Sequence, residues 1–320
     1  MKSYLINRND AGQRVDKYLL KAVPRLPQAL LYKYIRLKRI KLNGKKCESS
    51  TRLQENDRMD LYINDEFFET GLKEDDFKTV SSRLDAIYED DNILLVNKKP
   101  GLVVHEDESQ TPDTLINRVK SYLYQKGEYK PEEERSFAPA LCNRIDRNTQ
   151  GIVIAAKNAA TLRILNEKIK NRELTKLYLC IVCGHLPEKG GTLTAYLSKD
   201  ESKKQVKVYS GPQPGTKTIE TKYRVLAENG QNSLLEVELL TGRTHQIRAH
   251  FAFIGHPLLG DGKYGDNAVN RKSRLKYQAL CAYKLIFSFK TDAGHLEYLN
   301  KKEYEIKDVW FKEAFLNGNL

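Results

Sequence analysis

The stretch Asn143-Arg144-Ile145-Asp146-Arg147-Asn148-Thr149-Gln150-Gly151 runs without a break into Ile152-Val153-Ile154-Ala155-Ala156. A polar segment thus meets five apolar residues, three of them β-branched. Such a run reads as a strand covered on both faces. Gly151 permits a tight turn into that strand. Asn158 is placed to cap the helix that follows, whose apolar stripe is Leu162, Leu165 and Ile169. Asp146 sits between two arginines. Nearby positive charge would hold its carboxylate ionised, as a nucleophile needs. Taken alone, a structural ion network accounts for the same cluster.

Working outward, residues 93–97 form a second buried strand, stopped by Lys99-Pro100-Gly101. Further strands fall at 178–182 and 234–240, with loops at 126–135, 187–191 and 211–216. The mixture predicts an α+β fold around a central mixed, mostly antiparallel β-sheet, and not a doubly wound βαβ unit. This domain is expected to span residues 84–315. Residues 1–63 predict a small α/β unit. Its first helix carries Val15, Leu19 and Val23 on one side. A second helix near 28–38 buries Leu30, Leu31, Tyr34, Ile35 and Leu37 and turns Lys33, Arg36 and Arg39 outward. A strand at 40–43 meets a turn at Asn43-Gly44, and another strand covers 58–63. Residues 64–83, with Asp65, Glu66, Glu69, Glu74, Asp75 and Asp76, read as an acidic, partly mobile linker.

Hydrophobic residues make up 40% of the 320 and charged residues 30%, which suffices for a packed core. No run of about 18 apolar residues suggests a membrane span, and the first residues lack a signal-peptide core. Five cysteines without such a signal fit reduced thiols in the cytoplasm. The net charge is +12, and residues 1–63 hold fifteen Lys/Arg against six Asp/Glu. A basic segment that short points to a polyanionic partner, or to a merely solubilising surface.

A second constellation is Leu240-Thr241-Gly242-Arg243-Thr244-His245-Gln246-Ile247-Arg248-Ala249-His250, leading to Gly255-His256-Pro257 and Gly260-Asp261 with Tyr264-Gly265. It leaves a strand through Thr-Gly and enters a helix. Cationic and amide side chains at such a turn suit a phosphate or carboxylate. His245 and His250 are five residues apart with no acidic or Cys ligand at helical reach, so metal ligation is not expected. Cys180 and Cys183 lie within a strand, lack a partner pair and read as core.

Together these stretches resemble the pseudouridine synthases of the RluA family, which modify ribosomal or transfer RNA. The resemblance rests on five ordered motifs between Asn143 and Gly265: Asn143 to Gly151, Lys176-Leu177-Tyr178, Thr241 to Arg248, Gly255-His256-Pro257 and Gly260 to Gly265. The opening Tyr88-Glu89-Asp90-Asp91-Asn92 through Lys99-Pro100-Gly101 matches as well. Arg14-Val15-Asp16-Lys17-Tyr18-Leu19, with 35–40 and Asn43-Gly44-Lys45, resembles an S4-like RNA-binding domain, a shorter and looser match.

The resemblance implies a reaction that isomerises uridine in structured RNA. Ribosomal RNA of the large subunit is the expected substrate and transfer RNA the alternative. It makes Asp146 the nucleophile, Arg248 its ion-pair partner, and Tyr178 the ring stacked on the target base. Arg144 would occupy the space vacated by the base. Asn143, Arg147, Arg243, His245 and Gln246 are expected at the RNA, with Lys33, Arg36 and Arg39 on the first unit. No metal or cofactor is required for an isomerisation, and a monomer acting in the cytoplasm is expected. Two departures stand out: Asn143 replaces the family's usual His, and Gln150 its usual Ser. Cys281, where relatives often show His, reads as packing. Two rivals remain at this point: a non-catalytic RNA-binding relative, and a hydrolase pairing Asp146 with Glu89, Asp90 or Asp261.

Overall fold

The apolar run after the Asp146 loop is buried at every position. Ile152 and Ile154 enter one apolar cluster with Ile93, Leu95 and Leu179. Val153 and Ala155 enter another with Leu94, Val96 and Leu123. Both faces of the strand are therefore covered, which explains its continuous hydrophobicity. The structure, a computed structural model, describes residues 1–68, 76–106, 111–200 and 205–320.

The first unit contains β1 (Lys2–Leu5), α1 (Val15–Ala22), α2 (Gln28–Arg36), β2 (Ile40–Leu42), β3 (Lys45–Lys46) and β4 (Arg58–Leu61). Its antiparallel sheet has the order β1-β4-β2-β3. Val15, Leu19, Val23, Leu31, Tyr34 and Ile35 form the core as helical spacing predicts. Leu37 does not join them. The helix ends at Arg36, Lys38 takes a left-handed φ of 58°, and Leu37 turns to solvent. Asn43 and Gly44 both have positive φ, as a tight hairpin of that composition demands.

The second unit continues with α3 (Asp76–Thr79), β5 (Ala86–Glu89), β6 (Ile93–Lys98), α4 (Leu115–Gln125), β7 (Ala140–Leu141), β8 (Gln150–Ala156), α5 (Ala159–Lys170), β9 (Leu174–Cys183) and β10 (Gly190–Asp200). There follow β11 (Gln205–Tyr209), β12 (Lys217–Glu228), β13 (Asn232–Leu239), α6 (Gln246–Phe253), α7 (Asn267–Ser273), β14 (Leu280–Phe287), β15 (Glu303–Glu305) and α8 (Lys312–Leu316). The sheet runs β11-β10-β12-β13-β9-β14-β8-β6-β5, with β15 beside β14 and β7 beside β8. Its one parallel strand pair among the described residues is β14 with β8. Gly151 stands at that junction with φ 147°, and a Cβ there would lie 2.6 Å from the Ala282 backbone nitrogen. Only glycine fits so close an approach. Asn158 caps α5 by accepting from the Thr161 N–H. All five cysteines are unpaired thiols, and Cys180 and Cys281 are core residues.

The predicted acidic linker is tied down wherever it is described. Phe67 and Phe68 pack on the first unit's core, Phe68 edge-on to Tyr4. Phe77 in α3 is buried against Leu115, Val119 and Leu123 of α4. The Ser121 hydroxyl donates to the Val80 carbonyl, and Ser82 donates to Gln125. The three rings override the charge composition, because each buries far more apolar surface than an exposed carboxylate forfeits. Glu69, Glu74 and Asp75 lie outside the described residues. At the other end the second unit extends past residue 315, with Leu320 packed on its core.

The two units also touch. Ser136 donates to Asp10 at 2.5 Å and accepts from Gln13, Asn9 donates to Glu134, and the Ala159 N–H at the start of α5 donates to Asn9.

His250 lies inside α6 with its Nδ1 2.9 Å from the Thr221 hydroxyl. Burial pushes the imidazole pKa down to about 4. The unfolded chain therefore binds more protons between that value and 6.5. Folding stability should fall as pH drops through this window, by up to about 1.4 kcal/mol per unit. A His250→Asn variant should lose this part of the slope of Tm against pH. Equal slopes in both proteins would assign the acid sensitivity elsewhere.

Candidate active site

The turn between β13 and α6 is built around Gln246. Its Oε1 accepts from the Arg243 N–H and the Thr241 hydroxyl, and its Nε2 donates to the Glu220 carbonyl and Thr221. These four bonds use every polar atom of a side chain that is 2% exposed. Gln246 was expected at the RNA. Its place is inside the wall, where it fixes the start of α6 against β12. His245 closes the turn in the left-handed region, φ 54°. From there α6 directs Arg248 inward.

Arg248 reaches Asp146 from 102 residues away: its Nη1 donates to Asp146 Oδ2 at 2.7 Å. Its other edge is held by Asp261, with Nε to Oδ2 at 2.7 Å and Nη2 to Oδ1 at 2.9 Å. Burial disfavours the guanidinium charge, yet the Asp261 and Asp146 carboxylates outweigh it and raise the Arg248 pKa. Burial also opposes ionisation of Asp261. Arg248 and the N–H groups of Lys263 and Tyr264 more than compensate and hold that pKa below the usual value. Asp261 is fully enclosed, whereas the Asp146 side chain is 25% exposed. Only Asp146 faces the open cleft.

The arginines that flank Asp146 in sequence do not hold it. Arg144 and Arg147 are exposed, and Arg147 donates to the Gly101 carbonyl. The loop is anchored from beneath by Lys98, whose ammonium donates to the carbonyls of Lys99, Leu102 and Arg147. Burial drives the Lys98 pKa down to about 7, against the pull of Asp146. Gln278 donates to Thr149 from the start of β14. Asn143 is buried, its amide donating to the Ile152 carbonyl and accepting from the Ile154 N–H. It braces the loop against β8 at the wall of the cleft.

The resulting cleft has a volume of roughly 1580 Å³ and crosses the sheet over β13, β9 and β14. Tyr178, Leu239, Ile247 and Leu280 give it an apolar floor. Burial, then the Asp146 charge, raises the Tyr178 pKa and keeps the phenol neutral. Nine lysines and arginines line the cleft against two acids, Glu106 and Asp146. The rim holds Arg144, Arg147 and Arg243 as expected. It also holds Arg271, Arg274 and Lys276, which the sequence reading missed because exposed cations without a motif carry no local signal. Lys33, Arg36 and Arg39 are exposed on the first unit, away from the lining of the cleft.

Residues 92–253 match the family described as RNA pseudouridylate synthase. An uncharacterised RNA pseudouridine synthase of Mycoplasma genitalium is 35% identical over 289 residues, which cover 89% of this chain and 88% of that protein. The ribosomal large subunit pseudouridine synthase D of Escherichia coli strain K12 is 31% identical over 260 residues, covering 81% of this chain and 75% of that one. Among solved structures, human RNA pseudouridylate synthase domain containing 1 aligns with a TM-score of 0.53 at 25% identity, covering 66% of this chain and 81% of that one.

Replacing Asp261 by Ala would leave Arg248 buried with one partner fewer. Losing one member of a buried, hydrogen-bonded charge pair costs about 3–5 kcal/mol. Asp261→Ala should therefore lower stability in denaturant unfolding by that order and lower turnover as well. Wild-type stability in this variant would mean that Arg248 needs only Asp146.

Proposed function

The chain belongs to the RNA pseudouridine synthase family, isomerases that turn uridine into pseudouridine, and from that membership we propose that Asp146 is its nucleophile and a uridine of large-subunit ribosomal RNA its substrate. The observation that carries the first part is the Asp146–Arg248 ion pair at the floor of a basic cleft. The name of the Escherichia coli relative supports the second, and transfer RNA is the alternative.

The reaction breaks the C1′–N1 bond, turns the uracil, and joins C1′ to C5. The C5 proton is lost and N1 gains one, so atoms balance without an external reagent. A nucleophile is needed to carry the detached fragment between the two bonds. Asp146 suits that role: it is a carboxyl group partly open to the cleft, and oriented by a guanidinium that is itself fixed on its far edge. Tyr178 serves as the platform on which the base rests, with its neutral phenol in reach of the C5 proton. Arg144, on the rim beside Asp146, fills the stack after the base has left.

Extruding the uridine costs a few kcal/mol in a duplex and less in a loop. Phosphate contacts offset this, and the cleft is far larger than one nucleoside requires. Its cations therefore track the strand on both sides of the target. Residues 1–63 act as an S4-like RNA-binding unit through Lys33, Arg36 and Arg39. A hydrolase is disfavoured because its candidate acids are engaged elsewhere. Glu89 is bound by Tyr122, Lys126 and Lys157, Asp90 by Tyr88 and Tyr298, and Asp261 by Arg248.

Two measurements check this reading. Tritium release from RNA labelled at uridine C5 should occur with the wild type and vanish with Asp146→Asn. Equal release from both proteins, or free uracil among the products, would overturn the assignment. With about six phosphates neutralised, log affinity against log salt should have a slope near −4 to −5 on single strands. Replacing Lys33, Arg36 and Arg39 together by alanine should reduce the slope by about two to three units. An unchanged slope would remove the first unit from RNA binding.

A further inference from the structure

Two donors address Asp146, and both point to the same oxygen. Arg248 Nη1 lies 2.7 Å from Oδ2, and His245 Nε2 lies 3.9 Å from Oδ2. What the imidazole offers there depends on its tautomer, and the tautomer depends on the group at Nδ1. That group is the Tyr264 hydroxyl, 2.8 Å away.

The bookkeeping of hydrogens is decided one step further out. The Tyr264 oxygen already accepts from the Val206 N–H of β11 at 3.0 Å. Its own hydrogen needs an acceptor, and among the described residues the His245 Nδ1, 2.8 Å away, is placed to be it. If Nδ1 carried a proton instead, the phenol hydrogen would be left without a partner at a half-buried site. The other end of the ring selects the same form. Asp146 can only accept, so a lone pair on Nε2 would face a carboxylate, whereas an N–H there is attracted. The charged and titratable groups around the ring are Asp146, Arg248, Lys263 and Asp261, and burial is the largest influence, holding the imidazole neutral. The left-handed backbone of His245 is uncommon for a residue with a side chain and aims the ring into this slot.

We propose that Tyr264 locks His245 as the neutral, Nε2-protonated tautomer, so that His245 and Arg248 together donate to Oδ2 and leave Oδ1 of Asp146 as the atom that meets the nucleotide. His245 is thus a positioning residue, and Tyr264 positions it in turn. One short turn, 260–265, governs both donors. Asp261 grips Arg248, the Tyr264 ring lies 5.3 Å from the Arg248 guanidinium, and the Tyr264 hydroxyl orients His245. At 3.9 Å the His245 contact is longer than a hydrogen bond in the free protein, and donation to Oδ2 requires it to shorten once RNA fills the cleft.

The proposal rests on Asp146 being the nucleophile, but its first test does not. The long-range nitrogen–proton NMR spectrum of the full chain, free of RNA and with labelled histidine, should show His245 as the Nε2–H tautomer near neutral pH. In Tyr264→Phe, which keeps the ring beside Arg248 and removes only the hydroxyl, that pattern should give way to a mixture or to the other tautomer. Finding Nδ1–H or imidazolium in the wild type, or an unchanged spectrum in Tyr264→Phe, would overturn the proposal whatever the enzyme's substrate. The second test uses C5-tritiated ribosomal RNA from cells lacking the protein. Tyr264→Phe should lower kcat by about ten-fold with KM for RNA changed by less than about two-fold. His245→Gln, which retains an N–H donor, should keep more activity than His245→Ala. A loss in Tyr264→Phe confined to KM, or equal rates for the two His245 variants, would assign these residues to RNA binding instead. Activity surviving in Asp146→Asn would sink the nucleophile assignment while leaving the tautomer result standing.

Discussion

One guanidinium shared by two carboxylates sets the character of this site. A charge as deeply buried as Arg248 is tolerated only when paired and fully hydrogen-bonded. Asp261 meets most of that need, gripping two nitrogens of the planar fork. The fork has a fixed geometry, so gripping one edge determines where the third nitrogen points. Asp146 receives that nitrogen. Two negative groups around one positive group leave the cluster with an excess negative charge. Because Asp261 is sealed and Asp146 is open, the excess sits at the cleft side. The acid that no solvent reaches thereby aims the guanidinium at the acid in the cleft. A lysine in place of Arg248 would supply charge without the second edge.

The rest of the second unit exists to bring this pair together. Asp146 lies on a loop immediately before β8, and Arg248 lies near the start of α6, which follows β13. Between them in the sheet stand β9 and β14, which contribute Tyr178 and Leu280 to the apolar floor of the cleft. The junction of β8 with β14 needs Gly151, because the chains approach too closely for any side chain. Lys98 then gathers three carbonyls beneath the Asp146 loop, those of Lys99, Leu102 and Arg147. A functional loop is held in this way by rigid strands on both flanks, while its tip remains free to meet a ligand.

Much of this architecture was legible in the residues, for identifiable reasons. The strand at 152–156, the Asn158 cap and the Asn43-Gly44 turn are local, and each follows from propensities over a few positions. What was not legible at the site is non-local. Arg144 and Arg147 neighbour Asp146 in sequence, yet the loop turns them to solvent and recruits Arg248 across the sheet. Gln246 and Asn143 have polar side chains that suit RNA equally well. Only the fold reveals that neighbouring backbone groups consume them. Asp261 was visible as a candidate acid, and its true partner lay on another element. Where the expected linker is described, Phe67, Phe68 and Phe77 pack against the two units, a feature that its acidic composition did not announce. Short edge strand β1 and the polar-faced hairpin of β10 and β11 carry too weak an alternation to be recognised.

The contact between the two units decides how far the proposed RNA path extends. A basic domain on a free tether would add affinity without register, since its cations could meet phosphates anywhere within the reach of the chain. Here Asp10 is fully buried beneath Ser136, Gln13 reaches the same serine, and Asn9 links Glu134 to the first turn of α5. Burial raises the Asp10 pKa, and the Ser136 hydroxyl opposes it. An acid buried at an interface is stable only while its partner stays in place, so parting the units would expose Asp10 and break these bonds together. The first unit is therefore held at a set distance from Asp146. Under the proposed function, Lys33, Arg36 and Arg39 grip the RNA at a fixed separation from the uridine to be modified. Recognition then reads the shape of a folded RNA over that span, as well as the single base in the cleft.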